Sequence, residues 1–353
     1  MNLTDLGYDN KLEIYRNDNK LDALGVGRVV SVHKERYVVK THTMEYDAEI
    51  LGNLRYSAQS RADFPVVGDW VALSVYDENK ALIHAVLPRK SLVERQAVGK
   101  KGEKQIIAAN IDFAFIVQAV GRDFSLNRIE RYLTICYAAN IQPIIVLNKT
   151  DLVDAGEKDN LINMIQKRVK GVPVFAISNH SLNGIEALHN SLLSGKTYCL
   201  LGSSGVGKST LLNTLAGGEV MKTNTINETI NRGRHVTTHR ELHILENGSL
   251  FIDNPGMREV GIADVGHGLE ITFDAISELS KECRYNDCTH TAEDGCAVLE
   301  AVENGTIDLL VFENYQKMKR EQIHYESTIA ERRQKDKDFG KMIKKFKKIK
   351  GHE

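Results

Sequence analysis

Between Val26 and Leu87 the apolar residues come in short runs: "VGRVVSVHKERYVVKT", "TMEYDAEI", "VVGDWVALSV" and "ALIHAVL". Glycines and charged turns separate them. Several short strands at such spacing predict a small barrel or sandwich over residues 25–90. Ahead of it, residues 1–24 are polar and read as a loosely docked arm. Behind it, Pro88 and the polar "RKSLVERQAVGKKGEKQ" read as a linker through residues 91–108. From about Ala109 the texture changes. "IDFAFIVQAV", "QPIIVLNKTD", "PVFAIS", "KTYCLLG" and "SLFIDNPG" read as buried strands. Between them "SLNRIERYLTICYAAN", with Ser125 as N-cap, "LINMIQKRVK", "GIEALHNSLL" and "GKSTLLNTLAG" carry helical periodicity. Strand and helix alternate, so residues 109–262 are expected to form an α/β domain with a parallel sheet covered on both faces. Residues 263–353 begin with a Cys/His segment and continue as helix. Near their end "FGKMIKKFKKIK", Phe339 to Lys350, holds lysines and no acid.

Composition narrows the function classes. The 353 residues carry a net charge of −1, so the molecule as a whole is not a basic coat for nucleic acid, although a local patch still can bind it. The N-terminus lacks the apolar core of a signal peptide, and the longest apolar runs are strand-length, which predicts a cytoplasmic protein with no membrane span. Five cysteines are too few for a disulfide scaffold, yet Cys283, Cys288 and Cys296 fall in one short segment.

The chemistry is concentrated in four motifs. "GSSGVGKST", Gly202, Ser203, Ser204, Gly205, Val206, Gly207, Lys208, Ser209 and Thr210, fits the phosphate-binding loop between a strand and a helix. Glycines let backbone N–H groups wrap a phosphate, Lys208 neutralises the β- and γ-phosphates, and Ser209 binds Mg²⁺. "NKTD" ends the strand "PIIVL" and selects GTP. Asp151 can accept from the guanine N1–H and exocyclic amine, Asn148 supports the loop, and the stem of Lys149 can lie over the ring. "DNPG" supplies Asp253 for Mg²⁺ through water and Gly256 to sense the γ-phosphate. "GRHVTTHRE" supplies Thr237 and Thr238, one of which is a Mg²⁺ ligand in the triphosphate state.

The order of these motifs is unusual. The base reader precedes the phosphate loop, and the switches follow both. A parallel sheet can be cut and rejoined without moving a site made in space, so the pattern is that of a circularly permuted GTPase. The switch ending at "DNPGM" then leads directly into the Cys/His segment, which puts that segment within reach of a γ-phosphate-dependent movement.

With its flanking modules, this arrangement resembles the ribosome small-subunit-dependent GTPase family, RsgA or YjeQ. The resemblance is carried by "VVGDWV", "LNKTDL", "GSSGVGKSTLLN", "GRHVTTHREL", "DNPGMRE" and the cysteine segment. It implies an N-terminal OB-fold β-barrel, a central permuted P-loop GTPase domain and a C-terminal, mainly helical zinc-binding domain. It further implies late maturation of the small (30S) ribosomal subunit, with hydrolysis stimulated by that particle. Ser178 and Asn179 fall in the loop that touches the guanine O6, where many relatives have Ser-Ala.

Many GTPases place a glutamine after D-x-x-G to orient water, but here that residue is Met257. His235 is the candidate to replace it, alongside Lys208 as the catalytic cation. A loop histidine in contact with rRNA is the other reading of His235. Cys283, Cys288, His290 and Cys296 form a Cys₃His set suited to one structural Zn²⁺, with a neighbouring carboxylate as the alternative to His290. Arg28, Lys34, Arg36, Tyr37, Lys40 and Trp70 are the barrel's candidates for rRNA, with Trp70 equally suited to a core. The expected partners are GTP or GDP and the small subunit with its 16S rRNA and proteins, and the expected state is a monomer. A nucleotide-sensing RNA-binding checkpoint, in which hydrolysis is incidental, is the rival reading. A GTPase acting on tRNA or at a membrane is a weaker one, resting on the basic tail.

Overall fold

The computed structural model describes residues 2–33, 36–58, 60–96, 104–220, 240–253 and 265–326. The N-terminal arm is anchored more firmly than its polarity suggests. A 3₁₀ turn, Leu3–Leu6, leads into helix α1, Asn10–Asp18, whose first turn is capped by the Asp9 carboxylate accepting from the Leu12 N–H at 3.1 Å. Leu6 and Leu12 are buried in the main core, and Tyr8 meets Trp70 edge-on, with ring centroids 4.9 Å apart. Two apolar anchors and one aromatic pair are enough to hold an otherwise hydrophilic segment.

The expected barrel is present. Strands β1 (Gly25–His33), β2 (Arg36–Lys40), β3 (Glu45–Ile50), β4 (Trp70–Asp77) and β5 (Lys80–Val86) run in the order β1-β2-β3-β5-β4, and β4 pairs back onto β1. Helix α2, Gly52–Ser57, lies between β3 and β4. A five-stranded closed barrel of this order is OB-like. Gly27 is required by its packing, because a Cβ there would lie 2.5 Å from Val39 Cγ1. Val29, Tyr37, Val39, Ala48, Val71, Leu73 and Ile83 fill the interior.

The stretch read as a linker carries structure. β6 (Leu92–Gln96) and β7 (Lys104–Ala109) pair antiparallel, from Leu92 opposite Ala109 to Gln96 opposite Lys104. Its alternation was hidden by the charged residues that decorate it. The α/β domain follows, with β8 (Phe113–Ala119), α3 (Leu126–Ala138), β9 (Gln142–Asn148), α4 (Ala155–Arg168), β10 (Val174–Ala176), α5 (Ile185–Asn190), β11 (Thr197–Leu201), α6 (Lys208–Ala216), β12 (Arg240–Ile244) and β13 (Leu250–Asp253). Ser125 caps α3 as expected, accepting from the Arg128 N–H at 3.4 Å.

The sheet order is β10-β9-β8-β11-β13-β12, and the first five strands are parallel. β12 is antiparallel to β13 on one side and to β1 of the barrel on the other, with Ser31 opposite Glu241 and Val32 opposite Arg240. Barrel and α/β sheet therefore form one continuous eleven-stranded sheet. "RELHI" offers only two apolar residues, which is why periodicity missed this strand.

The C-terminal unit comprises α7 (Gly266–Thr272), α8 (Asp274–Ser280), α9 (Ala297–Glu303) and α10 (Leu309–Glu326) around a small core with Leu269, Phe273, Ile276, Val298 and Met318. It docks on α3. Gly268 permits the contact, since a Cβ there would stand 2.2 Å from the Thr134 carbonyl oxygen. Arg131 pairs with both carboxylate oxygens of Glu321 at 2.8 and 2.5 Å. Buried Glu130 accepts from Arg168 Nε at 2.6 Å and from Asn314 Nδ2 at 2.5 Å. The lysine-rich tail from Phe339 to Lys350 lies outside the described residues.

Candidate functional site

The carboxyl ends of β8, β9, β10, β11 and β13 lie side by side, and every described motif of the nucleotide site sits there. The loop from Gly202 to Gly207 joins β11 to α6. It needs glycine at both ends. Gly202 has φ +145° and would place a Cβ 2.4 Å from the Val117 carbonyl oxygen, while Gly207 has φ +97°. Val206 is buried beneath the loop, whereas Ser204 and Gly205 are exposed at its tip and Ser203 lies between these extremes. Lys208, Ser209 and Thr210 form the first turn of α6, the end of a helix that suits an anion. Lys208 Nζ donates to the carbonyls of Gly202 at 2.8 Å and Ser203 at 2.5 Å, which holds the ammonium across the mouth of the loop.

The base-reading loop stands next to it. Asn148, the last residue of β9, is buried and donates from Nδ2 to the Val206 carbonyl at 2.8 Å, while its Oδ1 accepts from the Lys149 N–H at 2.7 Å. Lys149 takes a left-handed conformation, φ +63°, that turns the chain out of the sheet. Thr150 Oγ1 then donates to the Ile177 carbonyl at 3.0 Å, tying this loop to the end of β10. Asp151 Oδ1 accepts from the Ser178 hydroxyl at 2.5 Å. That bond outweighs the slight burial and holds the Asp151 carboxyl below its usual range. Ser178 is itself buried and accepts from the N–H groups of His180 at 3.1 Å and Ser181 at 3.0 Å. Its neighbour Asn179 donates from Nδ2 to the Gly207 carbonyl at 3.0 Å.

Segments about sixty residues apart in the chain thus meet at one place, and the reversed motif order costs the site nothing. Asp253 ends β13, next to the phosphate strand β11. Gly256, Met257, His235, Thr237 and Thr238 lie outside the described residues. Sequence reasoning missed Tyr132. It is buried on α3, and its side chain hydrogen-bonds Ser203 of the phosphate loop. Burial raises its pKa, with Arg128 and Ser203 pulling the other way. A tyrosine on an apolar helix face carries no signal that separates this role from packing.

The Cys/His segment forms a second site. The ligand atoms of Cys283, Cys288, His290 and Cys296 all lie within 4.8 Å of one another and could hold a metal ion. Cys283 Sγ is 3.9 Å from Cys296 Sγ and 3.6 Å from His290 Nδ1, which is 3.3 Å from Cys296 Sγ. A tetrahedral site with metal–sulfur bonds of about 2.3 Å has edges of about 3.8 Å, so the set fits one ion. His290 Nε2 lies 3.1 Å from Ser280 Oγ, leaving Nδ1 to face the sulfurs. Burial works against the Cys283 thiolate, but the backbone N–H groups of Val298 and Ala297 and the nearby Cys296 outweigh it and lower the pKa. The two remaining cysteines, Cys136 and Cys199, are unpaired and buried.

Three barrel candidates for nucleic acid are withdrawn by burial. Trp70 is 1% exposed and packs on Tyr8, Tyr37 fills the barrel, and Arg28 is 1% exposed. Arg28 donates to the carbonyls of Leu6, Gly68 and Asn110 and to Thr197 Oγ1. Lys40 pairs with Glu45 at 2.8 Å, Arg36 is exposed, and Lys34 is outside the described residues. Among the described residues, no helix is long and apolar enough to cross a membrane.

Comparison with known proteins agrees with this geometry. The RsgA GTPase family model matches residues 86–263. An ABC transporter model matches residues 185–347, a span that includes the phosphate loop but not the guanine-side loops, whose residues 148–151 and 178–179 precede it. Small ribosomal subunit biogenesis GTPase RsgA 1 of Listeria innocua is 45% identical over 299 residues, covering 85% of this chain and 84% of that one. YjeQ from Thermotoga maritima superposes with a TM-score of 0.65 at 28% identity, covering 85% of this chain and 98% of that one. YloQ, described as a circularly permuted GTPase, superposes with a TM-score of 0.62 at 23% identity, covering 86% of this chain and 97% of that one, which shows a shared fold. With a family model spanning half its length and a relative this similar over most of the rest, the chain belongs to the RsgA GTPase family.

Proposed function

We propose that the chain binds GTP at the strand ends between Asp151 and Lys208 and hydrolyses it while engaged with an assembling small ribosomal subunit. The observation that carries the reading is the direct bonding of the base loop to the phosphate loop, Asn148 to Val206 and Asn179 to Gly207. It brings the loop that carries the Asp151 carboxylate against the glycine-rich loop that leads into Lys208. Asp151, ionised and oriented by Ser178, accepts from the guanine N1–H and amine, donors that adenine does not offer together. Lys149 covers the base. The N–H groups from Gly202 to Thr210 hold the phosphates, and Lys208 takes the charge that develops on the β,γ-bridge.

Ser209 and Asp253, the latter through water, are the described residues that would hold Mg²⁺, with Thr238 or Thr237 joining them. Mg²⁺ bound there neutralises the β- and γ-oxygens. Gly256 senses the γ-phosphate and His235 places the attacking water, a task for which Met257 lacks a donor or acceptor. The Cys₃His set holds Zn²⁺ as a closed structural site, because all four positions are filled by protein. The small subunit as partner rests on what the relatives are named for: small ribosomal subunit biogenesis. A cytoplasmic monomer fits this role.

Met257 also favours a second reading, in which nucleotide state sets affinity for RNA and hydrolysis is incidental. GTP turnover by the purified protein, alone, with small subunits and with large subunits, separates the two. Stimulation by small subunits only is the expected result. Tight GTP binding with no stimulation overturns the assembly GTPase in favour of the nucleotide sensor.

A further inference from the structure

We propose that Asn179 is a positioning residue that sets how long the nucleotide stays bound, by latching the guanine-side loop to the phosphate loop. The inference rests on the nucleotide site proposed above and gives the second of its two inter-loop bonds a task of its own. Two amides reach into the phosphate loop from separate strand ends. Asn148 donates to the Val206 carbonyl and Asn179 donates to the next one, Gly207, at 3.0 Å. They flank Gly207 closely, since a Cβ there would lie 2.3 Å from Asn148 Nδ2 and 3.0 Å from Asn179 Nδ2. Gly207 immediately precedes Lys208 and Ser209, so whatever restrains it restrains the groups aimed at the phosphates. With alanine at 179 the second bond is impossible and Asn148 holds the loops together alone.

The other end of the same side chain argues against a role in folding. Asn179 Oδ1 is buried, and no group among the described residues donates to it. A buried acceptor without a partner works against stability. Truncation removes that liability together with the bond to Gly207, so the two effects oppose each other in folding. Only the bond acts on the spacing between the two loops. A residue kept for packing would lower the melting temperature when truncated. A latch speeds nucleotide release with the melting temperature held.

The test uses the full-length chain and N-methylanthraniloyl-GDP, with release followed after mixing with excess GDP. Asn179→Ala is expected to release the probe about three- to tenfold faster, the change expected from one lost neutral hydrogen bond. Its association rate stays within about twofold, and its nucleotide-free melting temperature is unchanged because loss of the bond and loss of the unpaired acceptor oppose each other. Asn179→Asp, which turns a carboxylate toward the Gly207 carbonyl, is expected to release faster still. Release unchanged in both variants, from a wild type that binds the probe, overturns the latch alone. Faster release accompanied by a matching fall in melting temperature also overturns it, by showing general loosening. A wild type that does not bind the probe overturns the nucleotide site and the latch together.

Discussion

Asp151 is oriented by Ser178, whose hydroxyl donates to it at 2.5 Å and lowers further the pKa of a carboxyl already ionised at neutral pH. Asp151→Asn exchanges two accepting lone pairs for a donor on the side that faces the guanine N1–H. GTP affinity should fall roughly 10²- to 10⁴-fold, the loss of one or two charge-assisted hydrogen bonds, while xanthosine triphosphate gains affinity. Competition binding with the two nucleotides measures both. The folded pKa of Asp151 lies below the ordinary 3.8, so the ionised form persists above that value and is lost only as pH falls through the lowered one. The preference for GTP over ATP should therefore be flat from about pH 5 to 8 on the Asp151 side. A preference that declines between pH 6 and 5 would place another titrating group in base recognition. At this scale the sequence was most informative where chemistry is local. "NKTD" and "GSSGVGKST" declare their loops because the needed residues are neighbours. Tyr132, whose partner Ser203 is distant in the chain, and Trp70, whose burial depends on Tyr8 of the arm, could not be resolved that way.

Among the elements, α3 carries the heaviest load. One face supplies Tyr132 to the phosphate loop, and another supplies Glu130, Arg131 and Thr134 to the C-terminal helices. Glu130 is nearly enclosed, and two of its bonds go to separate elements, Arg168 on α4 and Asn314 on α10. Glu130→Ala leaves a buried guanidinium without its carboxylate, a loss on the order of 3–5 kcal/mol for such pairs. It should lower the melting temperature by several degrees and open α10 to limited proteolysis. Arg131→Ala breaks a half-exposed pair and should cost much less. The Cys/His cluster, which could hold a metal ion, is the other element-scale constraint. The C-terminal unit has a small core, and its loop between α8 and α9 is organised by three sulfurs and an imidazole. Chelation should reduce helicity, with one equivalent of zinc released by elemental analysis, while GTP binding survives at the phosphate loop, which shares no residue with the cluster. Loss of GTP binding on chelation would show that the two sites are not separable. The cysteine spacing announced this site. The docking of its helices on α3 was not legible, because it depends on Gly268 meeting Thr134 across more than a hundred residues.

Across the whole molecule, the barrel and the α/β domain, which read as separate in the sequence, share one sheet, and together with the arm they share one buried cation. Arg28 extends from the barrel to bond Leu6 of the arm, Gly68 beside the barrel, Asn110 after β7 and Thr197 of β11. Burial lowers its pKa to about 10, so it remains charged at neutral pH and depends on those acceptors. Through β12, the barrel also grips the strand that emerges from the segment with His235, Thr237 and Thr238. In the proposed triphosphate state a threonine of that segment is drawn toward Mg²⁺, and the start of β12 is the first described element to receive the pull. β1 is its hydrogen-bonded neighbour at Ser31 and Val32, whereas among the described residues β5 pairs with β3 and β4. Hydrogen exchange should therefore slow in peptides covering residues 25–33 when GDP is replaced by a non-hydrolysable GTP analogue, with little change in residues 80–86. Equal exchange of the first segment in both nucleotide states would leave β12 a static joint. A difference confined to it would identify the shared sheet as the path by which the barrel senses the nucleotide.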